Sequence, residues 1–201
     1  MATNYSEDPG VVLMLAYQGG DESSFDQLVE MYSPRVFALV TRFMGNHAGR
    51  EDLVQDVFMR LIRARDRYQP TACFSTYLYR IAFNLCVNET QRVSSRRVVS
   101  IDAPAPTSKD DKSGFEFEDE DLEGPSEGME REDVVRRVRE AIASLPEGQR
   151  MALILAKYHE MPYTAIAAVM DSTEKAIKSL IHRGRERLRE ILAPLLEEET
   201  A

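Results

Sequence analysis

The segment from residue 102 to residue 133 constrains this chain most. It holds thirteen acidic residues and three basic ones, with Pro104, Pro106 and Pro125 and with Gly114, Gly124 and Gly128. The run Glu116-Phe117-Glu118-Asp119-Glu120-Asp121 sits near its middle. Self-repelling charge broken by proline and glycine buries too little apolar surface to offset the entropy of ordering a chain. The segment therefore reads as an extended linker, and the chain has to fold as separate units on either side of it.

Net charge is -9 over 201 residues. Taken whole, that balance argues against nucleic acid, because phosphate repels a net anion. Divided by segment, it says the opposite. Residues 31–101 carry eleven bases against five acids, and residues 134–196 carry eleven against seven. The acidic excess lies in residues 1–30, the linker and the last five residues. Two basic blocks alternate with acidic stretches, and each block suits a polyanionic partner.

Other classes are poorly supported. Hydrophobic residues make up 43% of the chain, enough to build cores. No apolar run approaches the roughly 18 residues of a membrane span. The start Met1-Ala2-Thr3-Asn4-Tyr5-Ser6-Glu7-Asp8 lacks a signal peptide's basic region. A cytoplasmic protein without membrane insertion is expected. Cys73 and Cys86 form no CxxC pair, so reduced, partly buried thiols are expected. His47, His159 and His182 are scattered, so neither metal nor cofactor is expected. With no phosphate loop and no nucleophile beside a base, neither is an enzyme with a small-molecule substrate.

Apolar residues recur at helical spacing, with no useful strand alternation. The expected fold is all-α: small helical domains at 1–100 and 133–201, joined by a flexible acidic linker at 101–132, with an acidic tail. In the first domain, one helix is expected from about Ser24 to Met44, interrupted at Pro34. A second should run from about Glu51 to Arg67, burying Val54, Val57, Phe58, Leu61 and Ile62 and turning Asp52, Gln55, Asp56 and Arg63 outward. A third should run from about Ser75 to Arg92.

The second domain ends in a helix-turn-helix pattern. A short helix near Tyr163–Met170 precedes a turn at Asp171-Ser172 and a long basic helix from about Glu174 to Leu192. Asp171 stands where glycine is common, and aspartate tolerates a left-handed backbone. Thr173 is a plausible N-cap. Ile177, Leu180, Ile181, Leu188, Ile191 and Leu192 can face a core, while Lys175, Lys178, Ser179, His182 and Arg183 project elsewhere. A cationic helix with exposed N-terminal turns fits a DNA major groove. The alternative is a solvated helix face.

Residues 68–92 mix aromatic and basic side chains. Tyr77, Arg80, Asn84 and Asn88 share a helical face, near Tyr68 and Phe74. Aromatic rings stack on unpaired bases for about 1–3 kcal/mol each. Asparagine offers a donor and an acceptor to a base edge. Those parts could hold single-stranded DNA; they could also be core, Phe74 and Tyr79 above all.

Taken together, these stretches resemble bacterial sigma factors of the extracytoplasmic-function group. Glu51-Asp52-Leu53-Val54-Gln55-Asp56-Val57-Phe58 resembles the (A/E)-D-L-V-Q-(E/D)-x-F motif of region 2. Phe74 to Asn84 resembles F-x-x-W-L-Y-R-I-A-x-N, with Tyr77 in place of tryptophan. Tyr163 to Arg185 resembles the helix-turn-helix of region 4, with Ala165 for glutamate, Ile177 for valine and Leu180 for arginine. The resemblance implies a promoter-recognition subunit of core RNA polymerase, with promoter DNA as second partner and an anti-sigma factor as a further candidate. It implies -10 contacts from Tyr68, Phe74, Tyr77, Arg80, Asn84 and Asn88. It implies -35 contacts from Thr173, Lys175, Lys178, Ser179, His182 and Arg183, and polymerase contacts from Asp52, Gln55 and Asp56. A stand-alone helix-turn-helix regulator is the alternative.

Overall fold

The computed structural model describes residues 5–45, 47–99 and 127–198. The acidic run at 116–121 lies outside them. Among the described residues the chain is helical and contains no strand. The first unit comprises α1 (Pro9–Gln18), α2 (Ser23–Met44), α3 (Arg50–Ala64) and α4 (Phe74–Val99). The second comprises α5 (Glu127–Ser144), α6 (Glu147–Tyr158), α7 (Tyr163–Val169) and α8 (Glu174–Glu198). Short 3-10 turns occupy Tyr5–Glu7 and Arg65–Arg67.

α1 starts where Asp8 accepts from the Val11 amide at 2.9 Å and Pro9 takes the first helical position. Gly10 brings it close to α2 and α4: a Cβ there would lie 2.5 Å from the Tyr32 hydroxyl and 2.7 Å from Phe74 Cβ. At its far end, Gln18 donates to the carbonyls of Arg65 and Tyr68. These bonds fix the approach to α4, the helix of the aromatic-basic signal.

α2 runs through Pro34 without a break, contrary to the sequence expectation. Pro34 is exposed, so the carbonyl it cannot satisfy can be hydrated, while Tyr32, Val36, Leu39 and Val40 anchor the helix in the core. In α3 the buried stripe is Leu53, Val54, Val57, Phe58 and Leu61. Ile62, expected inside, sits at the stripe's edge and is 37% exposed. Helix boundaries also move outward. α4 extends past Arg92 to Val99, and α8 extends past Leu192 to Glu198 with Pro194 inside it. α5 begins at Glu127, within the stretch expected to be linker. Acidic residues near a helix start complement its macrodipole, so the linker's acidity does not exclude its last residues from a helix.

The second unit packs α6 and α7 against α8 around Met151, Ile154, Leu155, Ile166, Ile177 and Ile181. Gly184 permits the α6–α8 crossing, where a Cβ would meet Leu153 Cδ1 at 2.6 Å. The two units also pack on each other, α2 against α5 and α6, and α4 against α7. Among the described residues, no helix is long and apolar enough to cross a membrane.

Candidate nucleic-acid interface

The turn between α7 and α8 is built as the sequence suggests. Asp171 adopts φ 49°, the left-handed conformation. Thr173 Oγ1 accepts from the Ala176 amide at 3.2 Å, capping α8. Ala167 is buried, and Ile177 and Ile181 enter the core, whereas Leu180, Leu188 and Leu192 are half-buried and Ile191, expected inside, is exposed where α8 runs past the core of its unit. That leaves Thr173, Lys175, Lys178, His182 and Arg183 exposed and Ser179 half-buried along α8.

Besides the capping Thr173, three of these side chains have partners. Lys178 Nζ pairs with Glu174 Oε1 at 2.7 Å, which raises the lysine pKa. Arg183 donates from Nε and Nη2 to Ser179 Oγ at 3.2 and 2.8 Å. Sequence reasoning missed Glu174 as a modulator of this face. Its spacing of four from Lys178 on a helix was the available signal.

On α4 the candidate -10 residues divide by depth. Arg80, Asn84 and Asn88 are exposed, and Tyr77 is half-buried. Tyr68 is 5% exposed and Phe74 is fully buried. The Tyr68 ring meets Phe74 edge-on at 6.3 Å and Tyr77 at 5.2 Å. Phe74 in turn packs against Tyr32 at 4.9 Å. In this conformation Phe74 offers no free face to a base; it supports the aromatic tier whose outer member is Tyr77. On α3, Asp52, Gln55 and Asp56 are all exposed on the face away from the core.

The helix-turn-helix lies against α4. Asp171 Oδ1 stands 3.8 Å from Arg80 Nη2, joining a candidate -10 residue to the turn before the candidate -35 helix. His159, just after α6, has Nδ1 3.0 Å from the Tyr79 hydroxyl, with ring centroids 4.8 Å apart. Arg42 stacks over the Tyr158 ring at 4.4 Å. Thr90 donates to Glu147. None of these contacts has a periodic sequence signature, and sequence reasoning found none of them.

Comparison with known proteins fits this arrangement. A family model of sigma-70 region 2 matches residues 28–96, and one of sigma-70 region 4 matches residues 136–188. The two matches fall on the two helical units. The RNA polymerase sigma-H factor of Pseudomonas aeruginosa is 33% identical over 183 residues, covering 90% of this chain and 92% of the relative. The ECF RNA polymerase sigma-E factor of Escherichia coli K12 is 34% identical over 185 residues, covering 92% and 95%.

Among solved structures, CnrH in complex with the cytosolic domain of CnrY has a TM-score of 0.64 at 22% identity, covering 93% of this chain and 99% of that one. The sigma factor RpoE in complex with the anti-sigma factor NepR, from Bartonella quintana, has a TM-score of 0.61 at 23% identity, covering 84% and 96%. These structural likenesses show the fold. The family models and the curated relatives show the family: the chain belongs to the sigma-70 family of RNA polymerase sigma factors, in its extracytoplasmic-function group.

Proposed function

We propose that this chain binds core RNA polymerase in the cytoplasm and directs initiation at promoters through separate -10 and -35 contacts. The observation that carries the reading is the distribution of exposed groups. Asp52, Gln55 and Asp56 share one face of α3, Arg80, Asn84 and Asn88 lie along α4, and the basic residues of α8 lie on the other unit. The α3 face meets polymerase. Asn84 receives a base flipped from the non-template strand, with Tyr77 as the stacking surface and the buried Tyr68 and Phe74 as its support. Unstacking the base costs a few kcal/mol, offset by stacking and edge hydrogen bonds. α8 enters the -35 major groove, with Lys175, Lys178, His182 and Arg183 toward DNA.

No bond is made or broken in this role, so promoter opening draws on binding free energy and the protein is not an enzyme. The two solved structures described above are complexes, one with the cytosolic domain of CnrY and one with the anti-sigma factor NepR. An anti-sigma factor is the corresponding inhibitory partner here. Permanganate footprinting of a promoter bound by the holoenzyme tests the -10 assignment. Asn84→Ala should reduce thymine reactivity in the -10 region and leave core binding unchanged. Full reactivity with Asn84→Ala would overturn that assignment.

A further inference from the structure

The docked chain cannot read both promoter elements at once. The -10 and -35 elements lie about 25 base pairs apart, and about 3.4 Å per pair separates them by about 85 Å. Here the turn before α8 touches α4, with Asp171 3.8 Å from Arg80. Promoter engagement therefore requires the units to part.

The groups that hold them together include a histidine, the side chain whose ordinary pKa lies nearest neutrality. His159 is packed against the first unit, with Tyr79 of α4 on one ring nitrogen. Its other nitrogen, Nε2, is buried and has no hydrogen-bond partner among the described residues. The neutral ring tolerates this arrangement. The imidazolium would carry a second N–H into a site with no acceptor, beside cations. From α2, Arg42 and Arg35 both act against a positive charge there. Tyr79 is itself buried, and burial raises its pKa, so it stays neutral. On the histidine's own side, Tyr158 lies under Arg42, and Glu160 is exposed.

We propose that His159 is an acid-sensitive release for the clasp between the two units, its protonation opening the chain into the form that can span a promoter. Burial and the two arginines push its pKa down to about 4 from 6.5. The open form therefore binds the proton first. Docking is at full strength above pH 6.5 and weakens as pH falls toward 4. Between about pH 7.5 and about pH 5.5 the balance moves about tenfold toward the open form. The proposal uses the sigma-factor reading only to say what the open form serves.

Opening itself can be read without polymerase or DNA. A dye pair at Met59→Cys and Arg189→Cys, in a Cys73→Ser, Cys86→Ala background, reports the separation of α3 from α8 by energy transfer. Transfer should fall between about pH 7.5 and about pH 5.5. With His159→Phe, which keeps a ring against Tyr79 but no proton, it should stay constant and high. A flat signal in the parent chain, or an equal fall in the phenylalanine variant, would overturn the proposal. Should His159→Phe fail to fold, the NMR titration of His159 in the unlabelled chain decides. A midpoint well below 6.5 supports the clasp, and a midpoint at 6.5 or above overturns it. Failure of either kind would leave promoter recognition untouched.

Discussion

The guanidinium of Arg150, near the start of α6, donates from Nη1 to the carbonyl oxygen of Phe43 at 2.7 Å and stacks on the Phe43 ring at 5.2 Å. Its Nη2 donates to the carbonyls of Ala143 at 2.5 Å and Leu145 at 2.9 Å. Phe43 lies at the end of α2, and Ala143 at the end of α5. One cation thus caps the C-terminal ends of two helices in different units, where unpaired carbonyls and the macrodipole favour positive charge.

Arg150→Ala removes these bonds and leaves carbonyls to find other partners. Hydrogen bonds to a charged group are worth about 1.5–3 kcal/mol each. The variant should open the clasp, seen as a larger radius of gyration by small-angle scattering, with helix content retained. Arg150→Lys keeps the charge without the planar fork and should fall between the two.

Gly10→Ala should destabilise the first unit. The added methyl would lie 2.7 Å from Phe74 Cβ, an atom close to the backbone that cannot swing aside. Overpacking of this kind costs about 1–3 kcal/mol. Gly184→Ala meets the terminal Leu153 Cδ1 at 2.6 Å, which rotation of the side chain can move, with Leu153 Cγ at 3.3 Å and Gln149 Cβ at 3.5 Å. Chemical denaturation should therefore show a larger loss for Gly10→Ala than for Gly184→Ala.

The Glu174–Lys178 ion pair sets a prediction with opposite signs. Glu174→Gln frees the Lys178 ammonium for a phosphate, so -35 duplex binding should tighten severalfold at low salt. Lys178→Ala should weaken binding about equally across sequences and make the slope of log affinity against log salt shallower by about 1. Fluorescence anisotropy over a salt series measures both.

Asp56→Ala, on the exposed face of α3, should reduce affinity for core polymerase by about tenfold. That is the loss of one well-placed interfacial hydrogen bond to a charged partner. Titration of labelled chain with core enzyme measures it, and far-UV circular dichroism should be unchanged because Asp56 makes no core contact.

Much of this was legible in the sequence because periodicity reports burial. Val54, Val57, Phe58 and Leu61 of α3, Ile177 and Ile181 of α8, the Thr173 cap and the left-handed Asp171 follow from residue type and spacing, whereas Ile62 and Ile191 share the period and lie exposed. α1 did not announce itself that way: Val11-Val12-Leu13-Met14-Leu15 is apolar on every face, so no two-sided pattern forms. Its signal was local, Asp8 followed by Pro9. Pro34 misled because propensity lost to the buried residues on either side. The contacts between the units rest on single residues such as Arg150, His159 and Tyr79, far apart in sequence and with no period to betray them. For the same reason, Phe74 could be assigned to the aromatic cluster but not divided between stacking and support. That division depends on Tyr32 and Gly10, which come from other helices.

Run-off transcription with purified core RNA polymerase and a promoter library decides whether this chain initiates transcription. The chain should bind core and yield discrete start sites whose templates share a -10 and a -35 element. A chain that neither binds core nor directs any start site would contradict the proposed function.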